Sequence, residues 1–269
     1  VEDTRVEELW DEIWTMLEEG RSDESAAAAL RALGEDEEVP EFHYLLGVSL
    51  LDLDEAEAAL PELERAVELA AEWAEPRSAL AWARFRTLDM DGAKEQVEQA
   101  LEAAPDLADA HHLRGLLAER DGDERRALVC FAEARRLDPE RYPDPYSMGD
   151  DEFLEFAQSV VAELDEEVRE VLEDAGFFVL PFPPLELLSG GEKPLDPQLL
   201  GLFLGRSLLE QSVQDSGVLP NTLYLFQRNL ERVATTREEL EEEIRITVLH
   251  EIGHHLGWDE EELAERGLE

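Results

Sequence analysis

The sequence predicts a mainly α-helical protein in two parts. A solenoid of helical hairpins spans residues 1–141, a linker spans 142–151, and a small α/β domain spans 152–269. Three observations carry this. A 34-residue period of small and apolar residues runs through the first half. Pro139, Pro143, Pro145 and Gly149 then interrupt the helical pattern within Asp138–Asp151, DPERYPDPYSMGDD. Beyond them, short apolar runs bounded by glycine and proline alternate with helical stripes, as strands and helices of one small domain would.

The period is read from its last unit backwards. Gly115, Gly122, Ala127, Phe131, Ala134 and Pro139 step back by 34 residues to Ala81, Leu88, Ala93, Val97, Ala100 and Pro105. A further step gives Gly47, Asp54, Ala59, Leu63, Ala66 and Ala71, and a third gives Ile13, Gly20, Ser25, Ala29, Ala32 and Glu37. Small residues suit close helix crossings and larger ones fill the space between successive pairs, so each hairpin completes its core only against its neighbours. Residues 6–141 therefore form four helical pairs, the first divergent. The pattern resembles tetratricopeptide repeats. The resemblance implies a concave face that binds a protein or peptide, while a scaffolding role remains the competing expectation.

Within the array, His43 and His111 share a repeat position two periods apart, and His112 follows. No cysteine or further histidine is spaced to complete a ligand set, so these read as packed or groove-facing rings. Cys130, beside Phe131, reads as a buried thiol, and Trp10, Trp14, Trp73 and Trp82 as filler between helices.

Composition narrows the function. The 269 residues carry 68 acidic and 23 basic side chains, a formal net charge of −45. Such a field repels nucleic acid and disfavours an anionic membrane. With 43% hydrophobic residues the chain still has material for real cores. One cysteine fits a reducing compartment, no apolar run reaches membrane-spanning length, and the amphipathic acidic start is unlike a signal peptide. A cytoplasmic location is expected.

In the second half, Glu152–Asp174 has helical spacing, with Phe153, Phe156, Val160, Leu164, Val168 and Leu172 on one face. GFFVLPFPP reads as a strand stopped by prolines, and Leu185–Pro197 as a loop. LLGLFLGRSLL fits strand or helix, and Leu219–Gln227 reads as a second strand. Thr236 and Glu239 form a capping box that opens a helix with Leu240, Ile244, Val248, Ile252 and Leu256 as its apolar stripe. Its acidic first turns read as a solvated face favoured by the helix dipole. Gly257 suits its stop, and a short helix from Glu260 closes the chain.

That helix carries His250-Glu251-Ile252-Gly253-His254, an H-E-x-x-H motif. At 100° per residue the two histidines stand about 40° apart, one turn removed, so both imidazoles reach one ion. The apolar stripe lies on the far side, about 160° from His250. Glu251 is placed to take a proton from a zinc-activated water and return it to a leaving amine. A third ligand must come from elsewhere. Gly257 lets the chain turn back, and Glu260, ten residues after His250, has the favoured spacing, with Asp259 its competitor by one residue. His255, about 140° round from His250, reads as packed.

From LLGLFLG through LPNTLYLFQRNL to REELEEEIRITVLHEIGHHLGWDEEEL, the chain resembles the minimal zincin-like metallopeptidases of bacteria, domains with a metzincin-like zinc motif. The resemblance covers roughly residues 150–269 and is dense over the last 50. It implies a compact α/β zincin core, one Zn2+ per chain, His250, His254 and Glu260 as metal ligands, and Glu251 as the catalytic acid. By the same analogy Thr222–Phe226 is a candidate platform for substrate backbone, with an ordinary core strand as the competing and favoured reading. The chain departs from full metzincins in its acidic third ligand and in having nine residues after Glu260, too few for a methionine turn.

The expected function is zinc-dependent hydrolysis of peptide or amide bonds, with the repeats binding a protein substrate or partner. The alternative is a non-enzymatic adaptor whose second domain keeps a relic or structural zinc site.

Overall fold

The structure is a computed structural model and describes residues 3–173, 175–191, 193–205, 221–258 and 262–263. It divides into two compact units. One comprises Val1–Pro143 with Gly191–Leu195, the other Asp144–Gly190 with Asp196–Glu269.

The first unit is a run of antiparallel helix pairs: α1 (Asp3–Glu18) with α2 (Ser22–Glu35), α3 (Pro40–Asp52) with α4 (Ala56–Leu69), α5 (Ala74–Arg86) with α6 (Met90–Ala103), and α7 (Ala108–Arg120) with α8 (Glu124–Leu137). The periodic small residues lie where the pairs close. Ala29, Ala59, Ala93, Ala66, Ala100 and Ala134 are all fully buried. Gly47 and Gly115 are needed for the same reason, because a Cβ on either would come within 2.5 Å of the Leu63 or Phe131 side chain. The first pair closes like the others despite its divergent sequence. Its buried Ser25 hydroxyl donates to Ser49 Oγ at 2.7 Å, and Ser49 in turn donates to the Leu45 carbonyl.

Every first helix ends in one backbone device. Gly20, Asp54, Leu88 and Gly122 adopt left-handed φ values of 72°, 60°, 66° and 77°. The following N–H then returns to a carbonyl five residues back, from Arg21 to Met16, Glu55 to Leu50, Asp89 to Arg84, and Asp123 to Ala118, at 2.8–2.9 Å. These are Schellman turns, and they satisfy helix-end carbonyls that would otherwise be left open. His43 and His111 also play a common structural part. Each donates from Nε2 to the backbone carbonyl six residues earlier, Glu37 at 3.0 Å and Pro105 at 2.8 Å. Cys130 is buried as expected, with Arg114 Nε donating to its sulfur at 3.2 Å.

The second unit has α9 (Asp150–Ala162), α10 (Glu166–Glu173), β1 (Gly176–Leu180), α11 (Leu185–Leu188), β2 (Gly201–Leu204), β3 (Thr222–Phe226), α12 (Gln227–Val233) and α13 (Arg237–Leu256). The sheet order is β1-β3-β2, with β1 parallel and β2 antiparallel to β3. Phe153, Phe156, Val160 and Val168 meet Leu223, Leu225 and the α13 stripe in one core.

Several elements differ from the sequence reading. The helix expected over Glu152–Asp174 breaks into two at Glu163–Asp165, where Glu163 and Leu164 donate back only three residues, to Val160 and Val161. The apolar stripe survives the break, since Leu164 and Val168 are both buried. The stretch left open between strand and helix is strand at Gly201–Leu204, and the expected loop at Leu185–Pro197 contains the single turn α11. Among the described residues no helix is long and apolar enough to cross a membrane.

Candidate functional site

Helix α13 packs one face into the core and carries two histidines on another. Leu240, Ile244, Val248 and Ile252 are fully buried. Thr236 caps the first turn by accepting the Glu239 N–H at 3.1 Å. The reciprocal half of the box is displaced by one residue, because Glu239 Oε2 accepts from Thr235 N–H and hydroxyl at 2.7 and 2.6 Å. Those hydrogen bonds from Thr235 hold the Glu239 carboxyl below the usual carboxylate range, while burial and then Glu242 and Glu239 push Glu243 upward.

On the side away from the core, His250 is half-buried and His254 exposed. Their Nε2 atoms lie 3.0 Å apart and their rings meet at 85°. Two nitrogens at about 2.05 Å from one tetrahedral zinc stand about 3.3 Å apart, so small side-chain rotations fit this pair to such an ion. The donor chemistry fits as well.

Glu251 points toward the sheet. Its Oε2 accepts the backbone N–H of Phe203 at 2.7 Å. Phe226 N–H donates to the Leu200 carbonyl at 2.9 Å. That fixes the phase of the ladder and turns the Phe203 N–H outward, away from β3. Gly201 permits the approach, because a Cβ there would lie 2.5 Å from Thr247 Cγ2, one helical turn before Glu251. His255 is buried, its ring 4.7 Å from that of Phe203, which agrees with the packed role expected for it.

At its end the helix turns back on itself. Gly257 takes φ 91°, its N–H donates to His254 O at 3.1 Å, and Trp258 N–H donates to Gly253 O at 2.9 Å. Trp258 and Leu263 then cover Gly253 so closely that a Cβ there would lie 2.6 and 2.7 Å from their side chains. Asp259 and Glu260, the two candidates for a third ligand, lie outside the described residues. Among the described residues no group of three histidine, cysteine, aspartate or glutamate side chains gathers as for a metal ion.

Of the two readings of Thr222–Phe226, the topology agrees with the core strand and not with the substrate platform. Thr222–Phe226 is the central strand, hydrogen-bonded on both sides, so it has no free edge for a substrate backbone. Among the described strands β2 is the edge beside α13. Two contributors escaped the sequence reading: the Phe203 N–H, which no side-chain motif marks, and Gly253, whose smallness within H-E-x-x-H was the available signal.

Residues 172–268 match the family model described as zincin-like metallopeptidase, and residues 40–72 match a tetratricopeptide repeat. Among solved structures, the chain is similar to YrrB, a tetratricopeptide-repeat protein with an unusual peptide-binding site, at 26% identity and a TM-score of 0.41. That match covers 46% of this chain and 64% of YrrB. A MamA fragment from Desulfovibrio magneticus RS-1 is 21% identical, with a TM-score of 0.43 over 49% of this chain and 75% of that one. A thermophilic repeat protein of Thermus thermophilus is 22% identical, with a TM-score of 0.45 over 49% of this chain and 74% of that one. No curated protein matches the chain.

Proposed function

We propose that this chain, which joins N-terminal tetratricopeptide repeats to a zincin-like metallopeptidase domain, hydrolyses peptide or amide bonds and uses its repeats to take hold of a protein substrate or partner. The observation that carries the proposal is the pair of Nε2 atoms 3.0 Å apart on α13, with a carboxylate between them in sequence that is anchored to a strand edge.

In this reading His250 and His254 hold one Zn2+, and Glu260, or its neighbour Asp259, completes the set. Bound zinc supplies a water acidified toward pKa 7 and polarises the scissile carbonyl. The protein does the rest. Glu251 keeps Oε2 on the Phe203 N–H, which orients the carboxylate and leaves Oε1 to receive a proton and pass it to the leaving amine. The apolar stripe fixes the helix against the core, so the histidines keep a common orientation. On the outer edge of β2 the Phe203 N–H is taken by that carboxylate, and the other outward-facing backbone groups are left for an extended peptide. The concave surface expected of the repeats supplies the recruiting face.

The test is metal content and peptide hydrolysis on one set of proteins purified without chelator. About one zinc per chain is expected in the parent and in Glu251→Gln, but not in His250→Ala or His254→Ala, and only the parent should cleave an internally quenched peptide library. Failure to take up zinc when it is supplied in excess would falsify the hydrolase reading. The adaptor reading rests on the engagement of Glu251 in a structural hydrogen bond. It predicts zinc retention together with identical, absent cleavage in parent and Glu251→Gln.

A further inference from the structure

The repeat period places a second pattern on the first helices, distinct from the packing positions. Glu7, Glu41, Glu75 and Asp109 stand 34 residues apart. Three residues after each, on the same helical side, stand Trp10, Tyr44, Ser78 and His112. Three of these four rungs therefore pair a carboxylate with a ring.

The rings form one surface across repeats. Trp10 stacks on Trp14 with centroids 5.6 Å apart and planes 6° off parallel, and Tyr44 continues the stack at 5.9 Å and 11°. Trp73 leans against Tyr44 at 4.9 Å. All four residues are half-buried, and Trp10, Trp14 and Tyr44 also pack against the cores of the array. Burial first, then the Glu75 and Asp109 carboxylates, push the Tyr44 phenol upward, against the opposing influence of Arg141.

At the last rung the chain shows what chemistry satisfies such a pair. Arg141 Nε lies 3.4 Å from Asp109, and its guanidinium sits 5.8 Å from the centre of the Tyr142 ring. Tyr142 stacks on His112 at 4.4 Å and donates its hydroxyl to Asp109 at 2.5 Å. Tyr142 thus covers the ring and donates to the carboxylate, and Arg141 adds an ion pair to that carboxylate while lying over the Tyr142 ring. Among the described residues, Glu7, Glu41 and Glu75 make no ion pair.

We propose that the ladder of Glu7, Glu41 and Glu75 with the Trp10–Trp14–Tyr44–Trp73 stack docks a cationic segment of a partner protein, its arginine or lysine side chains lying on the rings and pairing with the carboxylates. This rests on the reading that the repeats receive a protein partner, and it specifies that partner's chemistry. Cation–π contact and ion pairing reinforce one another here, and a chain of net charge −45 attracts such a segment from a distance.

The test uses the full chain and a synthetic peptide alternating arginine, tyrosine and glycine, with a twin carrying glutamate for arginine. Calorimetry should detect the first and not the second. Trp10→Leu with Tyr44→Leu should weaken binding about tenfold. The triple change Glu7→Gln, Glu41→Gln, Glu75→Gln, which leaves every ring in place, should weaken it about fivefold. The charge-matched triple Glu57→Gln, Glu102→Gln, Glu124→Gln on the second helices should change it less than about twofold. Equal loss in the two triples, or equal binding of the twin, overturns the proposal. If the twin binds and loses affinity in the Trp10/Tyr44 variant, the repeats do take peptides and only the cationic assignment falls. If neither peptide binds at millimolar concentration, the partner-binding reading falls with it.

Discussion

Glu251 accepts the backbone N–H of Phe203 at 2.7 Å, tying α13 to the outer edge of β2. The residue expected to move protons is therefore also a fastening between helix and sheet. Glu251→Gln keeps an acceptor oxygen and should leave the urea midpoint almost unchanged, whereas Glu251→Ala strands that N–H and should cost about 1–2 kcal/mol. Equal stability of the two variants would show that the contact contributes nothing in solution.

Gly253 has no room for a methyl group, with Trp258 and Leu263 closed over it. Gly253→Ala should cost about 1–3 kcal/mol by pushing that cover away. Trp258 emission should shift to the red in the same variant, and an unshifted spectrum at parental stability would contradict the packing described.

Leu88 holds φ 66° at a turn where two of the four repeats place glycine. A β-carbon is strained in that region. Leu88→Gly should raise stability by about 0.5–1 kcal/mol, and Gly122→Leu should lower it by a similar amount, as read by thermal denaturation.

These turns show what was legible in the sequence. The 34-residue spacing placed Gly20, Asp54, Leu88 and Gly122 in one column, although only two of them are glycine. The backbone repeats where the side chains do not, because neighbouring pairs stack only if each first helix stops at the same point. That His250 and His254 face one another was legible because a helix converts spacing directly into direction. The Phe203 N–H was not, because it depends on the phase of the β2–β3 ladder, and Gly201–Leu204 is too short to reveal that phase from periodicity. The break between α9 and α10 was hidden for the opposite reason: the buried stripe runs on through it. Thr222–Phe226 was recognisable as a strand, but its central place depends on partners distant in the chain.

The N-terminus of α13 should respond to acid. Hydrogen bonds from Thr235 depress the Glu239 pKa below its ordinary 4.5, so the stability this carboxylate adds is complete above about pH 4.5 and is lost as pH falls through the depressed value. The difference in urea midpoint between parent and Glu239→Ala should be present at neutral pH and shrink on acidification. Thr236→Ala removes the cap itself and should cost about 1 kcal/mol at neutral pH.

The strand that pairs with both others is the last of the three to be synthesised. While a ribosome is still making the chain, Gly176–Leu180 and Gly201–Leu204 emerge before the one described strand that pairs with both, Thr222–Phe226. The helical pairs, which need only adjacent hairpins, can assemble vectorially in the meantime. A nascent chain stalled before residue 222 would therefore present finished repeats attached to unzipped, aggregation-prone strands, and a chaperone acting on this protein would find its work in the second half.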